Sequence, residues 1–266
     1  MKLGIITFKY EKKDLEEIKE MGLDFVEFCI NSHENDLFNY QRFFDAVDQI
    51  KENLDEVNLF TGSIGRWGGY KIEKDGSINE KEFIADKTLI DAAEKLNCPI
   101  YVTSCNYVEE LSMFENYKAT IAYLEALIAY GKQKGIKILT NNCKWNNYII
   151  SNSSWSVIHG HLDDLGIKFD PSHLIYENED YLSLLAKWGH RVEHIHLKGS
   201  LQVDGKFYDD PPAGIDQTDW RKFFAILYKL NYNKTLSIEP HSSTWQGDLG
   251  KKGILYTINY IKQFMF

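Results

Sequence analysis

The sequence predicts a single α/β domain, a (β/α)8 barrel running over residues 1–266. Short runs rich in Val, Ile and Phe alternate eight times with amphipathic helical stretches. This is the pattern of a parallel sheet whose strands are buried on both faces. A chain of 266 residues has the length that eight such units need. Ionisable residues close several of the later runs, at the strand ends where barrels carry their chemistry. No Pro/Ser/Gly-rich linker or shift in composition divides the chain.

The elements follow in order. The first strand is Lys2–Phe8, and a helix over Asp14–Gly22 comes next, its apolar residues at helical spacing and Gly22 in place as a C-cap. The second strand is Asp24–Ile30 and the third Val57–Ser63. A glycine-rich loop over residues 62–79 then carries Arg66 and Trp67. Longer helices over Phe83–Leu96 and Tyr117–Lys134 flank the fourth strand, Ile100–Cys105, and Gly135 marks the turn into the fifth, Lys137–Asn142. The sixth strand is Gly166–Asp170, the seventh Val192–Lys198 and the eighth Thr235–His241. The connection between the last two, Gly199–Asp219, is longer than a turn requires. Both long loops follow strands, so both are expected to cover the catalytic end.

Composition narrows the function. A net charge of −9 argues against a nucleic-acid partner, which calls for a basic face. No run approaches ~18 apolar residues, so no membrane span is expected. The N-terminus enters a strand directly, without the apolar stretch of a signal peptide. Cys29, Cys98, Cys105 and Cys143 show no CxxC pairing and read as reduced thiols of a cytoplasmic protein. The aromatic share of 14% suits both helix–sheet packing and a pocket that stacks on sugar rings.

The residues with chemistry gather in the second half. His194, His196 and Lys198 alternate along the seventh strand and so share one face. Asp170 and His173 have D-x-x-H spacing across Pro171, which ends the sixth strand. On the eighth, Glu239 and His241 share a face with Ser237. Asp170, His196 and Glu239 thus offer two carboxylates and one imidazole on three successive strands, a set that suits Mn2+, Zn2+, Co2+ or Mg2+ with positions left for substrate. The same residues also suit a buried His–carboxylate network that needs no ion.

The motifs Phe169-Asp170-Pro171-Ser172-His173, His194-Ile195-His196-Leu197-Lys198-Gly199 and Ser237-Ile238-Glu239-Pro240-His241 resemble those of the xylose isomerase-like TIM-barrel superfamily of sugar phosphate isomerases and epimerases. The resemblance covers essentially the whole chain. It implies a divalent metal on Asp170, His196 and Glu239, with Glu239 also moving a proton and His173 binding substrate. The family's fifth-strand Glu should fall near Asn141, where this chain has Asn141-Asn142. Asn141 retains an amide oxygen for the metal but cannot act as a carboxylate base. Lys198 is the next candidate base, provided burial lowers its pKa. His173, Arg66, Trp145, Asn142, His194 and Glu27 are the expected substrate-binding residues.

These observations point to a metal-dependent isomerase or epimerase of a small sugar, sugar phosphate, sugar acid or keto-inositol, acting through an enediolate. A lyase or dehydratase on the same scaffold, or a barrel that binds carbohydrate without turning it over, are the alternatives. Barrels of this family often dimerise, so a homodimer is an expectation of the resemblance, although no apolar stripe marks an interface.

Overall fold

The computed structural model describes residues 1–31 and 39–266. Its strands are β1 (Lys2–Thr7), β2 (Phe25–Cys29), β3 (Phe60–Arg66), β4 (Ile100–Thr103), β5 (Lys137–Asn141), β6 (Gly166–Phe169), β7 (Val192–Leu197), β8 (Leu201–Val203), β9 (Lys206–Asp209) and β10 (Thr235–Ile238). Eight of them close a barrel in which β10 pairs with β1, with helices between successive strands. Every ladder of the barrel is parallel. The remaining two, β8 and β9, form an antiparallel hairpin. The predicted barrel is therefore the observed one, and the long segment after the seventh strand carries a hairpin of its own. No helix among the described residues is long and apolar enough to cross a membrane.

Boundaries move where capping decides them. The fourth-strand flanking helices begin earlier than apolar periodicity suggests, at Glu80 and Met113. Asn79 caps the first by accepting from Glu82 N, and Ser112 with Glu115 forms a reciprocal box at the second. The third strand starts at Phe60 and runs to Arg66, because helix Val47–Val57 consumes its predicted first residue and Asn58 ends that helix in the left-handed region. Gly22 and Gly135 also take positive φ, 76° and 71°, where each helix turns toward its strand.

The core has two parts. The larger fills the space between sheet and helices. The smaller, Ile6, Cys29, Trp67, Ile100, Val102 and Leu139, lies apart from it. Lower in the barrel, Phe25 occupies the space that glycines leave: a Cβ on Gly4 or Gly62 would lie 2.4 or 2.3 Å from its ring. Phe25 in turn packs edge-on against His194, ring centroids 6.2 Å apart, where the polar part of the barrel begins.

His159 ties helix Asn152–His161 to the sheet, its Nε2 2.9 Å from Thr140 Oγ1 and its ring between Trp155 and Trp188. Burial pushes its pKa down to about 3. The unfolded chain protonates this group below about pH 6.5, whereas the folded protein does not until about pH 3. Stability therefore falls as pH drops through that window, by roughly 2 kcal/mol between pH 6.5 and 5. His159→Gln, which cannot titrate, is expected to reduce the pH 7 to pH 5 loss in urea-unfolding free energy by about that amount. An unchanged loss would refute the assignment.

Candidate functional site

The site is built from the barrel axis upward. Glu27 on β2 and His194 and His196 on β7 all point inward and are fully buried. Nε2 of His194 and of His196 donate to Glu27 Oε2 at 3.0 and 2.8 Å. A carboxylate at these distances can only accept, so both nitrogens carry the proton. Nδ1 of His194 lies 2.7 Å from Thr235 Oγ1. Burial alone would raise the Glu27 pKa, but His196 and His194 outweigh it and hold the carboxyl well below its usual range. For His196 burial acts downward, and Glu27 above all prevails, leaving the ring above its ordinary value.

One level higher, Asp170 ends β6. Its Oδ1 caps helix Pro171–Tyr176, accepting from Ser172 N at 2.9 Å and Ser172 Oγ at 2.7 Å. Asp170 Oδ2 is left buried with no hydrogen-bond partner. It lies 4.0 Å from His196 Nδ1, and Glu239 Oε2 lies 2.9 Å from the same nitrogen. Lys198 Nζ stands 3.6 Å from both Asp170 Oδ2 and Glu239 Oε2, and donates to His173 Nε2 at 3.1 Å. That bond requires an unprotonated Nε2. Accordingly burial, and then the Lys198 charge, bring the His173 pKa down to about 4, so the ring is neutral at pH 7. Glu239 is held well below the carboxylate range: burial works against ionisation, and Lys198 and His196 outweigh it.

Other expected positions are corrected. Arg66 does not face the mouth. It is fully buried on the helix side of β3, donating to Glu82 Oε2 at 2.9 Å and to Ile30 O at 3.2 Å, near Asp86 and Lys71, because its parity is opposite to that of the inward Ser63. Asn142 is not open to substrate either: its amide clamps the Asp170 main chain, donating to O at 2.8 Å and accepting from N at 2.9 Å. Asn141 Oδ1 accepts from Cys143 N at 2.9 Å and from Asn147 Nδ2 at 3.2 Å, which turns it into the loop and away from a metal. Lys198 fails the condition set for a base: burial alone would lower its pKa, but Glu239 and Asp170 raise it above the normal lysine value. Its ammonium donates to His173 Nε2. Trp145 is half exposed beside Gly68, whose added Cβ would meet its ring at 2.6 Å. His241 pairs with Asp210 at 2.8 Å beyond the strand end.

Sequence reading missed Lys168. It shares parity with Asp170 on β6, and that two-residue spacing was the available signal.

A family model for the xylose isomerase-like TIM barrel matches residues 15–263. The chain belongs to this family. Inosose dehydratase of Clostridium perfringens is 30% identical over 86 residues, 32% of this chain and 29% of that protein's length. Among solved structures, D-allulose 3-epimerase from Methylomonas sp. superposes with a TM-score of 0.77 at 18% identity, covering 100% of this chain and 98% of that one. The 3-keto-D-glucoside 4-epimerase of E. coli gives 0.74 at 16% identity, with 99% of each chain covered. At these identities the structures report the shared fold.

The donor set suits a divalent ion. Asp170, His196 and Glu239 each offer an atom within 4.8 Å of the others, and the orphaned Asp170 Oδ2 is the buried oxygen that a cation would satisfy. Glu27 fixes His196 from the far side so that Nδ1 faces the two carboxylates, the usual relation of an outer carboxylate to a ligand histidine. Glu27→Ala is expected to weaken Mn2+ affinity about 10- to 100-fold, read by calorimetric titration. Unchanged affinity would mean that Glu27 does not orient the ligand.

Proposed function

We propose that this protein isomerises or epimerises a small keto sugar, sugar acid or keto-inositol by removing a proton next to the carbonyl, with Asp170, His196 and Glu239 holding a divalent metal. The observation that carries this reading is the convergence of these three donors from β6, β7 and the end of β10 around one orphaned carboxylate oxygen. A bound dication would polarise the carbonyl and acidify the neighbouring C–H.

The protein's own groups supply the rest. Glu239, ionised at neutral pH, takes the proton from carbon, and the bond's electrons move to the carbonyl oxygen. Return of the proton to the former carbonyl carbon, with the hydroxyl proton passing from the neighbouring oxygen to the new hydroxyl, gives isomerisation, whereas epimerisation requires a proton delivered to the opposite face of the original carbon by a second donor. Lys198 donates to a substrate oxygen as an ammonium, and neutral His173 helps to place it.

Dehydration is the second reading, and two observations favour it. The family resemblance puts a second carboxylate near Asn141, and an amide there cannot act as the second base that inversion at one carbon uses most simply. The stretch of similarity to inosose dehydratase points the same way. In that case the enolate left when Glu239 takes the proton would expel the hydroxyl of the next carbon, which departs as water with that proton returned by the Glu239 carboxyl.

The test is solvent exchange. Keto sugars and inososes incubated in D2O with the Mn2+-loaded protein should acquire carbon-bound deuterium or lose water, and Glu239→Gln should slow this about 10^2- to 10^4-fold. Full turnover by Glu239→Gln would end the mechanism. Elemental mass spectrometry should find about one metal per chain, lost in Asp170→Ala and in His196→Ala. A metal-free protein, even after soaking, would end the metal assignment.

A further inference from the structure

Three lysines are buried among the described residues: Lys71, Lys168 and Lys198. Lys71 is paired with Asp86 at 2.6 Å and Glu82 at 3.4 Å. Lys198 is set between Asp170 and Glu239. Lys168 differs. No carboxylate, carbonyl or hydroxyl among the described residues accepts from it, and its one described contact is the face of Trp67, whose ring centroid lies 4.2 Å from Nζ.

Its direction follows from the register. Lys168 pairs with His194 on one side and Asn141 on the other, and His194 points into the barrel. The next residue, Phe169, pairs with Ile195 and packs outward on Trp155 and Phe223. Trp67, which carries the ammonium, also meets His196 edge-on, ring centroids 6.4 Å apart. Lys168 therefore reaches the same space as the Asp170–His196–Glu239 cluster. Lys168 is 3% exposed, and a single aromatic face compensates for only part of the hydration its ammonium has lost.

We propose that Lys168 is a catalytic residue whose ammonium receives the anionic oxygen of the bound ligand, which in the reading above is the oxygen that gains charge when the proton leaves carbon. The inference deepens that reading and rests on it for the identity of the oxygen. The ligand chemistry it demands is a planar oxyanion held at the β6 lysine beside Trp67. Only a hydrogen bond is made in this step.

Oxalate is the probe, a planar dianion with the oxygen spacing of an enediolate. Protein stripped of metal with EDTA is titrated with oxalate by calorimetry, as wild type, Lys168→Met, Lys168→Gln and Lys168→Arg. Each is checked for folding by near-UV circular dichroism and for Mn2+ content by elemental mass spectrometry. Saturable binding by wild type, weakened at least tenfold in Met and Gln and partly restored in Arg, with Mn2+ uptake unchanged, is the expected result. Loss of Mn2+ uptake in every protein with that ranking intact would remove the metal and leave Lys168 in its role. Equal oxalate affinity in wild type and Lys168→Gln, or none in wild type, would overturn the proposal. A residue that merely covers Trp67 would change the melting temperature and leave oxalate affinity where it was.

Discussion

The site depends on one buried carboxylate. Glu27 of β2 takes hydrogen bonds from two histidines of β7, and these bonds set the orientation of His196. An ionised carboxyl at such a depth is tolerable only because both donors face it at full hydrogen-bond strength. The reward is geometric. Rotation of the His196 ring would give up its 2.8 Å hydrogen bond to Glu27 Oε2, so Nδ1 stays at the level of Asp170 and Glu239.

Above that level the charges are arranged in a compensating ring. Asp170 gives one oxygen to Ser172 and keeps the other for the pocket, while Asn142 fixes its backbone to the end of β5. Lys198 stands between Asp170 and Glu239 and turns His173 into an acceptor. The carboxylates of Asp170 and Glu239 and the ammonium of Lys198 therefore share one water-poor volume. In such a volume each interaction is stronger than at the surface, and a misplaced charge is correspondingly more damaging. The second ionic cluster, Arg66 and Lys71 with Glu82 and Asp86, lies behind β3 and closes the helix layer there. The two clusters are chemically alike and differ in the face of the sheet they occupy.

The parts of the site legible in the sequence were those set by strand parity. His194, His196 and Lys198 could be assigned to one face because the side-chain period of a strand is two, and Asp170 could be placed at a strand end because Pro171 stops the pairing. The illegible parts were those where a residue's partner lies far away in the chain. Arg66 reads as a loop cation until β3 is found to run on through it, which places it on the face opposite to Ser63. Asn141 and Asn142 read as donors to a ligand until their amides are found on Cys143, Asn147 and Asp170. Lys168 goes unremarked in the sequence, and its setting is visible only once Trp67 is found over its ammonium, with no carboxylate within ion-pair distance among the described residues.

By itself, the sequence determined the alternation of elements, the closure into a barrel and the strand ends on which the acids and imidazoles sit. All of these follow from local periodicity, capping and chain length. Only the tertiary structure decided which polar groups are already satisfied by protein and which still face the pocket. That distinction rests on distances between strands that are adjacent in the barrel and remote in the chain, and on burial that shifts each proton affinity according to its neighbours.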